Sequence, residues 1–261
     1  MTPPTRAKPH RRPWATRLGR CIGAALLLGP AFAQAEEIVS ARYAEPTDRY
    51  GHFALGRPHE YAAVVARTDA GRELTLALPA NEVFEDLAPR LERLRPGAAP
   101  ELLVIISASG QGARLALLGL DGDRLVITAN AAPIGTANRW LNPVGVADLD
   151  GDGTAELAAV TTPHIAGVLR VYRRRGSALE EIAALPGFSN HVYGSAELRL
   201  STTVRLAGRP QLLVPDQSRT AVRAMAWVDG RLSETARCTR PSPVEGPADL
   251  SACAEAFGAQ R

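Results

Sequence analysis

Four apolar runs of one cast recur along the chain: "EYAAV" from Glu60, "ELLVI" from Glu101, "ELAAV" from Glu156 and "QLLVP" from Gln211. Their spacings are 41 (101 − 60), 55 (156 − 101) and 55 (211 − 156) residues. Such self-similarity constrains a fold more than local propensity does, because each unit must bury its faces against its neighbours. Every run follows a turn-forming stretch, "ALGRPH", "RLRPGAAP", "DLDGDGTA" or "RLAGRP". Every run then leads, through a polar loop, to a second β-like segment: "RELTLAL", "ARLALLGL", "GVLRVY" or "AVRAMAWV". In two units a third segment follows an Asp-Gly turn, at Asp121-Gly122 and Asp229-Gly230, which is a strong hairpin signal. Each unit therefore reads as a small antiparallel meander.

A lone meander cannot bury both faces, so several must pack together. Antiparallel units of this length are the sequence signature of a β-propeller. The expected fold is all-β, a β-propeller of about four to five antiparallel blades. Its units lie near residues 50–88, 89–135, 140–185 and 196–236, with a C-terminal tail over 237–261. The segment "EEIVSARY" from Glu36 is a candidate to close the ring beside a blade completed from the C-terminus. One region departs from the pattern: Val83, Phe84, Leu87, Leu91 and Leu94 approach helical spacing and suggest a short helix inserted near 80–94, although Pro89 opposes a continuous one. The tail segment "PADLSACAEAF" is a second helix candidate.

Arg11, Arg12, Arg17 and Arg20 precede the apolar run "CIGAALLLGPAFA", which ends at Ala33-Gln34-Ala35. This reads as a secretory signal peptide over residues 1–35, too short for a membrane span of about 20 apolar residues. It carries six basic residues (Lys8 and Arg6, Arg11, Arg12, Arg17, Arg20) and no acid. The remaining 226 residues (261 − 35) hold 24 basic (30 − 6) against 27 acidic residues, a formal charge of −3. The basic excess thus belongs to the leader, which argues against nucleic acid as a partner. The expected location is exported, periplasmic or extracellular. Cys21 leaves with the leader, so Cys238 and Cys253 remain, an even pair that reads as a disulfide in an oxidising compartment. Two free buried thiols are the alternative.

The third unit opens with "DLDGDGTAEL". Oxygen ligands on alternate residues suit calcium, which takes six to eight hard oxygens in irregular geometry. Asp148, Asp150 and Asp152 would offer side chains, Thr154 its backbone carbonyl and Glu156 a closing carboxylate. An EF-hand would need Glu at the twelfth position and flanking helices, whereas the twelfth residue is Ala159 and both flanks read as strands. Four carboxylates this close repel one another unless a cation neutralises them. The loop resembles the FG-GAP repeats of integrin α-chain propellers and the VCBS repeats of secreted bacterial proteins. Their calcium loop, Asp-x-Asp/Asn-x-Asp-Gly-x-x-Asp, is matched at Asp148, Asp150, Asp152 and Gly153, with Glu156 in the last place. The resemblance implies a calcium-binding propeller that acts by binding a protein or glycan through its loops. The corresponding positions of the other units, His52, Ala54 and Gly56, then Arg93, Arg95 and Gly97, then Thr203, Arg205 and Ala207, offer no calcium ligands.

No catalytic motif appears. His52, His59, His164 and His191 are scattered and read as surface or loop residues, and no Gly-x-Ser-x-Gly elbow or phosphate-binding Gly-rich loop is present. The adjacent acids Glu85-Asp86 and Glu180-Glu181 read as solvated pairs, and Arg173, Arg174 and Arg175 as a solvated hairpin end. Trp140 and Trp227 read as packing residues; an exposed Trp140 beside the acidic loop would point to a sugar or peptide surface. The rival to a binding module is a propeller hydrolase acting on glycans or phosphoesters, which would need acids or histidines to converge in the central channel.

Overall fold

The computed structural model describes residues 1–4 and 35–258 of the chain. Two compact units are distinguished, Met1–Ala35 and Glu36–Arg261, and every described strand and helix belongs to the second. The expected signal peptide falls almost entirely outside the described residues. No described helix is long and apolar enough to cross a membrane.

The second unit is nearly all β. Its first meander joins β1 (Ile38–Pro46), β2 (Tyr61–Thr68) and β3 (Glu73–Ala77), with β2 in the middle. The second runs through β5 (Arg90–Glu92), β6 (Glu101–Ala108), β7 (Gly112–Asp121) and β8 (Arg124–Asn130). The third comprises β9 (Leu141–Ala147), β10 (Glu156–Thr161), β11 (Val168–Arg175) and β12 (Ala178–Pro186). The fourth comprises β13 (Thr202–Leu206), β14 (Arg209–Pro215), β15 (Ala221–Val228) and β16 (Arg231–Thr239). The first three meanders link into one curled sheet, in part through β4 (Glu82–Phe84), while the fourth is a sheet of its own. The seams are narrow: β2 meets β4 through Tyr61 and Phe84, and β12 meets β8 through Ala178 and Asn130.

The recurring apolar runs are the central strands, and period-two alternation explains why they are continuously apolar. In β6, Leu102, Val104 and Ile106 face the first meander while Leu103 and Ile105 face the third. In β10, Leu157 and Ala159 point back toward the second meander, and Ala158 and Val160 point on toward the fourth. A strand covered on both faces has no polar side to show. Each fully buried Leu or Ile contributes about 1.5–3 kcal/mol relative to exposure, so these strands supply most of the driving force. The first meander breaks the rule. Its outer face carries Ser40, Arg42, Val65, Arg67 and Glu73, which line a shallow surface groove.

The stack ends differently on its other side. Leu213, Val222 and Ala224 of the fourth meander pack against Val244 and, from helix α1 (Pro247–Ala256), Leu250 and Cys253. The disulfide between Cys238 on β16 and Cys253 on α1, with Cα atoms 5.7 Å apart, fixes that helix in place. Among the described residues, no core cluster joins the first meander to the fourth.

Two expectations are corrected. Residues 80–94 form β4 and β5 rather than a helix: Val83 and Phe84 pair with Ser107 and Ile106, and Leu91 is turned to solvent. Pro89 separates two short strands whose apolar residues only mimic helical spacing. The segment from Glu36 does not join a C-terminal blade; β1 pairs with β2, Tyr43 opposite Val64, and completes the first meander.

Candidate functional site

The acidic loop joins β9 to β10, two antiparallel neighbours whose register places Ala147 opposite Glu156. Gly151 and Gly153, at φ 80° and 87°, allow the chain to reverse tightly. Asp148 holds the turn from inside, its two oxygens accepting from the N–H groups of Gly151 (2.8 Å) and Gly153 (3.0 Å). Asp152 instead accepts from Thr154 N–H (2.8 Å). One oxygen each from Asp148, Asp150 and Glu156 lie within 4.8 Å of one another. Asp152 is not part of that group.

Arg173, on β11, faces these carboxylates. Its guanidinium donates to Glu156 Oε1 through Nε (3.0 Å) and Nη2 (2.8 Å), and Nη2 also reaches Asp150. Glu156 Oε2 accepts from Leu149 N–H (2.9 Å). Burial holds the Glu156 carboxyl above the usual range, against the pull of Leu149 N–H and Arg173. The expectation that Arg173–Arg175 form a solvated hairpin end is therefore corrected for two of them. Arg173 keeps only 16% of its side chain exposed, and Arg174 pairs with Glu101. The pairing is local to β10 and β11, where Leu157 sits opposite Tyr172 and so brings position 173 beside Glu156.

Glu156 has a second duty that the repeat explains. Phe53 N–H donates to Glu60 Oε1 (2.9 Å), at the same seven-residue offset as Leu149 to Glu156. Glu60 also accepts from Gly51 (2.9 Å) and His52 (2.8 Å). In the other two units the matching residue reaches the last strand of its meander: Glu101 accepts from Thr128 Oγ1 on β8, and Gln211 Oε1 from Thr235 Oγ1 on β16 (2.5 Å). The acid or amide that opens each central strand is a clamp on its own unit, whether or not acids precede it.

The donor set suits a hard cation in part. Three carboxylates converge and one is buried, which favours a divalent ion, yet Arg173 already supplies a positive charge to two of them. An ion held by all three would have to compete with that guanidinium.

A second cluster was not legible in the sequence. His52, His164 and His191, read there as scattered, come together around Trp140 and Tyr193, which corrects that reading. His52 Nδ1 lies 2.8 Å from Oε1 of the buried Glu85, and Ser107 Oγ donates to Glu85 Oε2 (2.6 Å). Glu85 and Asp86 are both fully buried, not solvated, and Asp86 pairs with Arg90. Trp140 is buried, donates its indole N–H to the Glu85 carbonyl (2.9 Å), and stacks on the His164 ring at 6.1 Å. It does not offer an exposed surface beside the acidic loop.

His164 and His191 share a 2.6 Å contact between Nε2 and Nδ1, and His191 Nε2 lies 2.8 Å from the Ser195 carbonyl. A carbonyl only accepts, so His191 Nε2 carries its proton and neutral His191 accepts at Nδ1 from His164 Nε2–H. Burial is the main cause that keeps both imidazoles neutral, lowering His164 to about 4, with His191, His52 and Arg219 adding to the effect. The sign follows from linkage. The unfolded chain protonates His164 near pH 6.5 and the folded chain only near pH 4, and His191 is lowered in the same direction, so stability falls as pH drops through the His164 window. Glu156 and Asp86, whose carboxyls are raised by burial, act in the opposite sense. Melting temperature between pH 8 and pH 4 should therefore fall less steeply in His164→Gln than in the parent; identical slopes would contradict the assignment.

No family model matches the sequence, and comparison with curated proteins returns no match.

Proposed function

We propose that the chain is an exported calcium-binding module of the FG-GAP/VCBS type, a propeller-like stack of four blades that engages a protein or glycan partner through its loops. The observation that carries this reading is the convergence of Asp148, Asp150 and Glu156 on a tight loop between two antiparallel strands. Face-to-face burial of successive meanders supports the propeller-like part of it, and the Cys238–Cys253 bridge supports an oxidising destination. Calcium at this loop would neutralise the carboxylates and tie β9 to β10. Asp152 and the Thr154 carbonyl complete the ligand set that the spacing of the loop implies.

Melting of the mature chain against calcium tests the proposal. Extracellular modules bind calcium at about 10⁻⁴–10⁻³ M, so several millimolar should raise the melting temperature by a few degrees in the parent and by less in Asp148→Asn. No shift in the parent up to about 10 mM would count against it.

One observation favours the rival hydrolase. His52 is held by a buried carboxylate through Nδ1, while Nε2 has no hydrogen-bond partner among the described residues, the arrangement of a general base. Turnover of chromogenic glycosides or phosphodiesters that disappears in His52→Ala would favour it; no turnover would leave the binding reading.

A further inference from the structure

A cleft of about 420 Å³ opens between the third and fourth meanders, within the range of small-ligand sites. Asp148 and Asp150 form one wall, and Arg205, Arg209, Pro210 and Trp227 the other. We propose that this cleft binds an anionic sugar, a short oligosaccharide containing uronic acid. The inference rests on the binding-module reading and supplies its ligand class.

The basic wall is built on a short hairpin. β13 and β14 pair Arg205 with Pro210 and Leu206 with Arg209, so the turn contains only Ala207 and Gly208, both with positive φ (48° and 79°). The register puts the Arg205 side chain on one face of this hairpin and the Arg209 side chain on the other, and both residues border the cleft. Arg205 donates one N–H to the Gly208 carbonyl, and Arg209 has no hydrogen-bond or ion-pair partner among the described residues. Neither is neutralised by a carboxylate, unlike Arg173 across the loop. The free fork of Arg209 and the remaining N–H groups of Arg205, both at the edge of the cleft, suit a carboxylate, which a guanidinium binds bidentately.

The remaining walls narrow the ligand further. Trp227 is half-buried, packed on the core between the third and fourth meanders and also lining the cleft, so it offers a fixed apolar plate to the C–H face of a sugar ring. The oxygens of Asp148 and Asp150 that accept loop N–H groups retain further lone pairs for ligand hydroxyls. A strongly acidic peptide would meet repulsion from these carboxylates. A uronate ring presents one carboxylate for the arginines and several hydroxyls for the acids, and so satisfies both walls.

Trigalacturonate and, as the neutral control, maltotriose are to be titrated into the mature chain, with and without calcium, by calorimetry and tryptophan fluorescence. Trp140 is buried, so a fluorescence change reports mainly on Trp227. Trigalacturonate should bind at least about tenfold more tightly than maltotriose, and Arg205→Gln/Arg209→Gln should remove that preference without changing the melting temperature. No binding of trigalacturonate at about 10 mM, or unchanged affinity in the double variant, would overturn the inference. Arginine-dependent binding of an acidic peptide in its place would overturn it too. A calcium-dependent rise in melting temperature beside a failed sugar titration would leave the calcium-binding module standing and sink the sugar site alone.

Discussion

Trp140→Ala should lower the unfolding free energy by about 3–5 kcal/mol, the range for deleting a buried large aromatic. Trp140 is 1% exposed and belongs to the cluster that fuses the second meander to the third, with Leu103, Leu115, Leu157 and Tyr172. Its loss opens a cavity at that seam and leaves the Glu85 carbonyl without its donor. It also removes the plate on which His164 and His191 rest, at 6.1 and 4.8 Å between ring centroids. Urea unfolding should show a lower midpoint with an unchanged slope. Trp140→Phe, which keeps most of the volume and loses the N–H, should lose much less. Equal losses in the two variants would mean that the hydrogen bond, not the packing, dominates.

Arg173→Ala should cost about 3 kcal/mol, the lower end of the range for stripping a buried carboxylate of its partner, because Arg173 and Asp150 retain some exposure. For a domain of this size that corresponds to a fall in melting temperature of roughly 6–12 °C. Two further features separate a charge effect from lost packing. Burial already raises the Glu156 carboxyl, and without Arg173 it should rise further. A carboxyl raised in the folded state favours folding as pH falls, so the deficit should be largest at neutral pH and shrink on acidification. Millimolar calcium should recover part of the lost stability, because the ion can take the place that the guanidinium vacates. A deficit insensitive to both pH and calcium would show that Arg173 acts only by packing.

The central strands were legible because their burial is two-sided: "ELLVI" and "ELAAV" are apolar at every position from which a core cluster is built. The disulfide and α1 were legible for a related reason, since the paired cysteines and the Pro247 start lie within one short segment. Residues 80–94 misled because Val83 and Phe84, buried on β4, and Leu94, buried in the bend after β5, fall by coincidence near a helical repeat. The histidine cluster could not be read from spacing. His52 lies 112 residues (164 − 52) before His164, and only the packing of three loops brings them to one aromatic centre. Arg173 posed the same difficulty at shorter range, because its partners become visible only once β10 and β11 are set in register. The shape of the stack depended on one face of one meander. Arg42, Arg67 and Glu73 share the outer face of the first meander, and that charge is what leaves it without a neighbouring core.

Luminescence of terbium, a calcium-sized trivalent ion, tests the role of the acidic loop most directly in a chain of residues 36–261. Trp227 borders the same cleft as Asp148 and Asp150 and should sensitise an ion bound there. The account predicts tryptophan-excited emission that calcium displaces, that Asp148→Asn weakens, and that Arg173→Gln strengthens. Emission absent in both the parent and Arg173→Gln, or present but indifferent to calcium and to Asp148→Asn, would contradict it.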